Sequence, residues 1–196
     1  MSPDEKMLPA GEKILFIDYS RCIGCESCEA ACRFVHGRPR INMTRTSGGI
    51  MAPLYCRHCE SAACIKGCTR GALQKALDGS VLLNPALCAG CETKNCILAC
   101  PHGGIFITGL DEAVIKCDLC QHRRAVGMAP ACVEMCPCGA MHLVTRAEAL
   151  ALSTEEYEAA HRKVMEHVRP VLAPAPRRET EQAGVPAAVT CLNSLA

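Results

Sequence analysis

Four groups of cysteines dominate this sequence and restrict the folds open to it. Sixteen of its eighteen cysteines fall into these groups, and every group ends in C-x3-C. The spacings are C-x2-C-x2-C-x3-C, then twice C-x2-C-x4-C-x3-C, then C-x2-C-x11-C-x3-C. The groups are Cys22, Cys25, Cys28, Cys32; Cys56, Cys59, Cys64, Cys68; Cys88, Cys91, Cys96, Cys100; and Cys117, Cys120, Cys132, Cys136. Thiolates this close in sequence converge on shared metal centres, so metal sites are predicted to organise the fold.

The composition agrees with a core that is not built from large side chains. Tryptophan is absent, and the 196 residues include only three Tyr and three Phe. Metal binding supplies folding free energy that such a small core lacks. The formal net charge of +1 gives no electrostatic reason to expect a nucleic-acid partner.

The metal that these spacings predict is iron, in [4Fe–4S] clusters. In two-cluster ferredoxins the last cysteine of each motif ligates the other cluster, and a proline follows it. Cys100 and Cys136 have that proline, whereas Cys32 and Cys68 do not. Zinc remains an alternative for the fourth group, whose two cysteine pairs are separated by a longer loop. A disulfide framework is disfavoured because no secretory signal is recognised.

A short repeat follows the last cysteine of three groups. Cys68, Cys100 and Cys136 are each followed by two variable residues, a glycine, a small residue and an apolar residue. Internal similarity of this kind indicates duplicated units. The glycine is predicted to adopt positive φ so that the backbone approaches the metal site.

The segments between the groups predict an α+β fold of short elements. Asp78-Gly79 and residues 109–112 are predicted hairpin turns. The predicted strands are Ile14–Ile17, Val81–Leu83, Ile105–Thr108, Val114–Ile115 and His142–Val144. The predicted helical turns are Ser27–Ala31, Ala62–Gly67, Lys94–Ala99 and Ala131–Met135.

The sequence changes character after Val144. Thr145 with Glu148 and Ser153 with Glu156 are predicted capping boxes, which begin a helix to about Leu152 and another from Thr154 to about Val168. Prolines then interrupt regular structure, at Pro170, Pro174, Pro176 and Pro186. This tail is predicted to be disordered or extended on a partner, and the sequence leaves both open.

Several residues near the motifs are not predicted to be ligands. Cys138 and Cys191 are left over from the groups, and the three histidines near the motifs are interpreted as ordinary, partly exposed side chains. They are His58, His102 and His122. The basic residues close to the motifs are interpreted as solvated surface charges that partly offset negative clusters. They are Arg33, Arg57, Lys66, Arg70, Lys94, Lys116, Arg123 and Arg124.

The location is predicted from the thiols and from the absence of targeting segments. The N-terminal residues match neither a secretory signal nor a twin-arginine leader, and no apolar stretch is long enough to cross a membrane. Dense cysteine in a reducing compartment means metal rather than disulfide. We therefore expect a cytoplasmic protein.

The segment from Ile14 to Val144 resembles the four-cluster ferredoxin-type electron-transfer subunits. The motifs that carry this resemblance are Tyr19-Ser20-Arg21-Cys22-Ile23-Gly24-Cys25, Cys56-Arg57-His58-Cys59-Glu60 and Ile115-Lys116-Cys117-Asp118-Leu119-Cys120, with the widened last group. Such subunits accompany molybdenum or tungsten aldehyde and formate oxidoreductases, hydrogenases and carbon monoxide dehydrogenases. The resemblance therefore implies a catalytic partner of one of these kinds.

The resemblance also implies how the ligands and domains are arranged. Two pseudo-symmetric ferredoxin-like halves are expected within 14–144, the inserted half being 50–110, followed by a helical arm at 145–169 and a Pro-rich tail at 170–196. The implied ligand sets are Cys22, Cys25, Cys28 with Cys136 (cluster 1); Cys117, Cys120, Cys132 with Cys32 (cluster 2); Cys56, Cys59, Cys64 with Cys100 (cluster 3); and Cys88, Cys91, Cys96 with Cys68 (cluster 4).

The function predicted from the sequence is electron transfer rather than catalysis. No phosphate loop, dinucleotide fingerprint or nucleophile with its base is present, and all sixteen motif cysteines are expected to be ligands. The first hypothesis is a subunit that connects a catalytic protein to an acceptor. A free polyferredoxin shuttle is the alternative, and a redox sensor or cluster donor is disfavoured because no effector segment is recognised.

Overall fold

Short strands and helices alternate along the chain in the computed structural model, which describes residues 13–45, 49, 51–107 and 112–172. This mixture agrees with the predicted α+β class. The elements in chain order are β1 Lys13–Ile17, α1 Ser27–His36, β2 Ile41–Arg45, β3 Met51–Tyr55, α2 Ala63–Lys66, β4 Leu73–Lys75, β5 Val81–Leu83, α3 Pro85–Cys88, α4 Asn95–Leu98, β6 Ile105–Phe106, β7 Ile115–Lys116, α5 Gln121–Arg124, α6 Ala131–Glu134, β8 Met141–Thr145, α7 Arg146–Leu152 and α8 Glu155–Leu172.

The strands pair into two-stranded antiparallel sheets. Strand β1 pairs with β8, so that Lys13 lies opposite Thr145 and Ile17 opposite Met141. This pairing joins the two ends of the cysteine-rich region. The other pairs are the hairpins β2–β3, β4–β5 and β6–β7. The predicted Asp78-Gly79 turn is confirmed, whereas most of the predicted turn at 109–112 lies outside the described residues.

The apolar side chains form two separate cores, and cysteines belong to both. The first core contains buried residues of β1, β3 and β8, together with Cys32 and Cys132. The second contains buried residues of β4, β5 and β6, together with Cys64, Cys88 and Cys96. Because so many members are thiols, few large side chains are needed to fill either core.

The first core takes residues from both sides of the segment that builds the second core. Ala52 and Tyr55 of β3 pack in the first core, and Val114 packs in the second. Strand β3 pairs with β2, a strand that the sequence did not indicate. The second core thus begins after β3 and includes the residues that lead into β7.

The first capping box after Val144 is confirmed and the second is wrong. The Thr145 hydroxyl accepts from the Glu148 N–H at 3.2 Å, and a Glu148 carboxylate oxygen accepts from the Thr145 N–H at 2.7 Å. At α8, however, it is the Thr154 hydroxyl that accepts a backbone N–H, from Tyr157 at 3.2 Å. Ser153 instead donates its hydroxyl back to the α7 carbonyl of Ala149 at 2.8 Å. The cap thus lies one residue later than predicted.

Helix α8 is longer than predicted. It continues through Pro170 to Leu172 rather than ending near Val168. Pro170 has no N–H to donate to the carbonyl four residues earlier. The described part of α8 nevertheless continues for two residues beyond it. The helix therefore includes the first residues of the predicted tail; the rest of the tail, with Cys191, lies outside the described residues.

The α8 helix packs on the first core through aromatic contacts. The Tyr157 ring lies 4.8 Å from that of Phe16 and 6.1 Å from that of Tyr19, between centroids. Val164, two turns further along, is also buried. The predicted arm is consequently held against the cysteine-rich region over at least its first three turns. No helix in the described part of the chain combines the length and apolar character that a membrane span requires.

Candidate metal centres

The structure gathers the sixteen motif thiols into four sets. Each set contains three cysteines of one motif and the last cysteine of a different motif. We name the sets by their members: the first site is Cys22, Cys25, Cys28 and Cys136; the second is Cys32, Cys117, Cys120 and Cys132; the third is Cys56, Cys59, Cys64 and Cys100; the fourth is Cys68, Cys88, Cys91 and Cys96. The first, second and fourth sets each line one small cavity. In the third set, Cys59, Cys64 and Cys100 pack in the second core, and the Cys100 and Cys59 thiolates add to the increase that burial causes in the pKa of Cys56.

The protonation of these thiols shows that the sets are suited to a positively charged centre. Burial, together with the neighbouring Cys22 and Cys25 thiolates, raises the pKa of Cys28 to about 12. Burial likewise raises the pKa of Cys132, followed by the charges of Cys117 and Cys120. Four thiolates cannot ionise together in so little solvent without a compensating cation. The donor sets therefore fit an iron–sulfur cluster with thiolate ligands.

Backbone N–H groups point at the last cysteine of each motif. The Sγ atoms of Cys68, Cys100 and Cys136 each accept from the N–H four residues later, at 3.2, 3.4 and 3.3 Å. Cys32 accepts instead from the N–H of Arg40 at 3.2 Å. Donors of this kind stabilise a thiolate and adjust the potential of a cluster bound to it.

The repeated glycine explains this geometry. Gly71, Gly103 and Gly139 have φ of 62°, 59° and 58°, as the repeat predicts. Each N–H also closes a turn onto the carbonyl of the preceding last cysteine, at 3.2, 3.5 and 3.1 Å. The positive φ, which glycine adopts without a steric penalty, then directs the next N–H towards the sulfur. The repeat is therefore a device for presenting one donor to one thiolate.

The sites follow one another through the molecule. The Cys28 thiolate of the first site adds to the burial-raised pKa of Cys132 in the second site. Burial raises the pKa of Cys117 to about 12, and the Cys56 thiolate of the third site contributes to the increase. Helix α2 of the third site packs against α4 of the fourth. The order of the sites is therefore first, second, third, fourth.

A buried lysine lies between the second and third sites. Lys116 is 3% exposed, although the sequence suggested a solvated charge. Its ammonium donates to the carbonyls of Val81 and Cys117, the latter at 2.6 Å. Burial raises the pKa of the Cys56 thiol, and the Lys116 ammonium is the foremost charge that opposes this increase. The lysine is thus a counter-charge for thiolates of both sites.

His58 is fully buried beside this lysine, so its interpretation as a partly exposed side chain was wrong. Its Nδ1 accepts from the Val81 N–H at 2.8 Å, while its Nε2 has no hydrogen-bond partner within the described residues. Burial, together with the charge of Lys116, lowers the pKa of His58 to about 3. The side chain is therefore neutral and fixed. His58 and Lys116 thus hydrogen-bond the N–H and the carbonyl of Val81, respectively. No local sequence pattern predicts this arrangement.

A second histidine contact was also missed by sequence reasoning. His36, at the end of α1, places Nε2 3.3 Å from the Sγ of Cys120. His36 also lies near Asp118 and His122, but the Asp118 carboxylate is paired with Arg40 at 2.6 Å. The contact joins residues 84 positions apart, so only the tertiary structure reveals it.

Comparison with known proteins agrees with this donor chemistry. A family profile described as the 4Fe-4S dicluster domain matches residues 48–146, and one described as a 4Fe-4S binding domain matches residues 15–34. The sequence is 36% identical over 145 residues to a component of the anaerobic dimethyl sulfoxide reductase of Escherichia coli (strain K12), covering 64% of this chain and 70% of that protein.

Two further relatives have the same character. The iron-sulfur subunit of the nitrate-inducible formate dehydrogenase of Escherichia coli (strain K12) is 32% identical over 179 residues, covering 77% of this chain and 60% of that protein. A component of the tetrathionate reductase of Salmonella typhimurium is 32% identical over 145 residues, covering 67% of this chain and 57% of that protein.

These similarities define an electron-transfer protein that contains iron–sulfur sites, rather than a catalytic subunit. The chain belongs to the 4Fe-4S dicluster domain family, among the iron–sulfur subunits of oxidoreductases.

Proposed function

We propose that the chain holds one [4Fe–4S] cluster in each of the four sites and relays single electrons between a catalytic oxidoreductase subunit and an acceptor or donor protein. The observation that carries the proposal is the continuous series of four four-thiol sets through the molecule. Each cluster, when bound, takes up and releases one electron at a time. Since electron tunnelling falls steeply with distance, neighbouring sites are a requirement of such a relay.

The chain's own residues bind and insulate these sites. Sixteen cysteines provide the thiolates, with Cys32, Cys68, Cys100 and Cys136 as the ligands that each cross to another motif's site. Backbone N–H groups donate hydrogen bonds to these four sulfurs and hold the thiolates in place. Apolar side chains of the two cores exclude water from the inner thiols.

Two pseudo-symmetric halves are part of this proposal. The outer half would contain the first and second sites, and the inserted half, roughly 50–110, the third and fourth. The repeated turn after the last cysteine supports a duplication, as do the two cores with cysteines in each. The helical arm and the Pro-rich tail follow as separate segments, and the arm favours a dedicated subunit over a free shuttle.

The partner is proposed to be a molybdenum or tungsten oxidoreductase, including the aldehyde and formate enzymes, a hydrogenase or a carbon monoxide dehydrogenase. Relatives that carry the names of dimethyl sulfoxide reductase, formate dehydrogenase and tetrathionate reductase support a catalytic oxidoreductase partner. The cytoplasmic location, which rests on the demand for reduced thiols, stays a prediction.

Anaerobic native purification followed by metal and sulfide analysis tests the proposal. We expect about sixteen iron and about sixteen sulfide per chain, as four cubane clusters require. A co-purifying subunit with molybdenum, tungsten or nickel would support the relay and identify the partner class. Full iron loading without any second subunit would favour the free shuttle, and zinc in place of iron would contradict the cluster assignment.

The crossed ligands are tested separately by comparing single alanine variants. Cys25→Ala and Cys120→Ala identify the electron paramagnetic resonance features of the first and second clusters. Cys32→Ala is expected to alter the same features as Cys120→Ala, because its thiol belongs to the second site. If it altered the features that Cys25→Ala removes, the crossed arrangement would be wrong.

A further inference from the structure

The first site contains a fifth thiol. Cys138 lines the same cavity as Cys22, Cys25 and Cys28. Its Sγ lies 3.6 Å from the Sγ of Cys136. None of the other three sites has an additional cysteine among the described residues. The sequence left Cys138 out of the ligand groups, so the function proposed above gives it no role.

The turn after Cys136 directs this extra thiol into the cavity. The Gly139 N–H donates to the Cys136 carbonyl at 3.1 Å, which closes a turn with Pro137 and Cys138 at its corners. The next N–H, of Ala140, donates to the Cys136 sulfur at 3.3 Å. Because this turn fixes both the backbone and the Cys136 sulfur, it holds the Cys138 side chain on the same side of the chain as that of Cys136, two residues away.

The equivalent position at the fourth site also faces its cavity. There the turn runs from Cys68 to Gly71, and the corner residue is Arg70. Arg70 lines the fourth-site cavity, and its guanidinium donates to the Gly90 carbonyl at 3.1 Å. The turns after Cys68 and Cys136 thus both direct this residue towards the adjacent site, and after Cys136 the residue is a thiol.

We propose that Cys138 is a reserve ligand of the first site, able to replace Cys136 as its fourth thiolate. The inference rests on the proposed iron–sulfur function of that site. The exchange is balanced in charge and needs no oxidant or reductant. Cys138 releases its thiol proton when its sulfur binds iron, and Cys136 takes up one proton when its iron–sulfur bond breaks.

The fourth site provides a matched control, because its repeat has Arg70, a side chain with no atom that can accept a bond to iron, where Cys138 stands. Cys136→Ala, Cys138→Ala, the double variant and Cys68→Ala are compared after anaerobic purification, by iron content and electron paramagnetic resonance. Alanine is chosen because a serine oxygen can itself bind iron. We expect Cys136→Ala and Cys138→Ala to keep the iron of the unaltered protein. The double variant and Cys68→Ala are expected to lose up to about a quarter of it, with a three-iron signal or an empty site.

A loss of iron in Cys136→Ala as large as that in Cys68→Ala would overturn the proposal. Unaltered protein without iron would instead contradict the proposed function, so the two failures are distinguishable. A gain-of-ligand variant covers the case in which Cys136→Ala does not fold. The fourth-site turn is closed in the same way, by Gly71 on Cys68, and Arg70 lines that cavity. Adding Arg70→Cys to Cys68→Ala should therefore restore the lost iron, and a failure to restore it would contradict the geometry.

Discussion

At the residue scale, the burial of Lys116 is the least expected feature of the site. A lysine is rarely removed from water without a compensating charge or a full set of acceptors. Here the acceptors are the carbonyls of Val81 and Cys117, and the compensating charges are thiolates of two neighbouring sites. In the sequence, Lys116 directly precedes a cysteine, as Arg21 does. The local sequence does not show which of these two basic side chains is buried.

Replacing Lys116 tests its role as a counter-charge. Lys116→Met removes the charge but keeps the apolar stem, so the reduced clusters of the second and third sites lose a favourable interaction. We expect their midpoint potentials to become more negative by roughly 40 mV or more, corresponding to about 1 kcal/mol of Coulomb energy per electron. Potentiometric titration monitored by electron paramagnetic resonance measures the shift.

Two controls accompany that titration. Lys116→Arg keeps the charge and should preserve the potentials. Lys75→Met removes another ammonium, which donates to the Cys59 carbonyl at 2.8 Å but lies on the surface, where solvent screens it. An equal shift in Lys75→Met and Lys116→Met would show that burial of the charge is irrelevant.

Gly104 is a residue for which the repeat and the structure lead to different expectations. The equivalent residues are Ala72 and Ala140, so the repeat alone predicts that alanine is tolerated at Gly104. A Cβ at Gly104 would, however, lie 2.4 Å from the carbonyl carbon and oxygen of Tyr55. These are backbone atoms of β3, which cannot move aside as a flexible side chain does.

Gly104→Ala is therefore expected to destabilise the protein by about 1–3 kcal/mol, the usual range for an overpacked site. The measurement is the rate at which visible cluster absorption bleaches in guanidinium, since such proteins unfold irreversibly. Gly127→Ala is the control: φ there is 77° but the space is open, so only the backbone strain of a left-handed alanine, about 1–2 kcal/mol, applies. Bleaching of Gly104→Ala no faster than that of Gly127→Ala would contradict the steric argument.

At the element scale, the sequence predicted most of the secondary structure near the repeats and missed what lies between them. Strands β1, β5 and β8 and helices α2, α4 and α6 appear close to their predicted positions. The β2–β3 hairpin was missed because β2 has only two apolar residues in alternation, Ile41 and Met43, and β3 does not alternate and contains Pro53. Helix α5 was missed because all four of its residues are polar. Such elements are positioned by cysteines and ion pairs, which periodicity does not reveal.

The α8 cap provides a test at this scale. The Thr154 hydroxyl accepts the Tyr157 N–H, so Thr154→Ala leaves that N–H without a partner and should cost the start of α8 about 1 kcal/mol. Hydrogen exchange at the Tyr157 amide should accelerate correspondingly. Ser153→Ala removes a bond to α7 and should leave this amide unchanged. Faster exchange in Ser153→Ala alone would restore the cap predicted from the sequence.

At the scale of the whole molecule, the sequence predicts which thiols group together but not the long-range contacts that join the two cores. Cysteine spacing was sufficient to predict sixteen thiols in four groups, and the family resemblance implied how they cross. The ties between the two cores are long-range contacts with no sequence pattern. The Arg124 guanidinium bonds the Asp78 carboxylate at 2.8 Å, and Lys116 reaches Val81 of β5. Such contacts fix the distance between the second and third sites.

Removal of iron is expected to unfold both cores together. Cysteines are members of each core, and without a metal their ionised form is disfavoured first by burial and then by neighbouring thiolates, which together raise the pKa values of Cys28 and Cys117. Few large side chains remain to hold either core without its clusters. Treatment with ferricyanide and EDTA should therefore abolish most of the far-ultraviolet circular dichroism and increase the hydrodynamic radius. EDTA alone, which leaves intact clusters in place, is the control. A compact apoprotein with its secondary structure preserved would show that side-chain packing, and not metal, stabilises this fold.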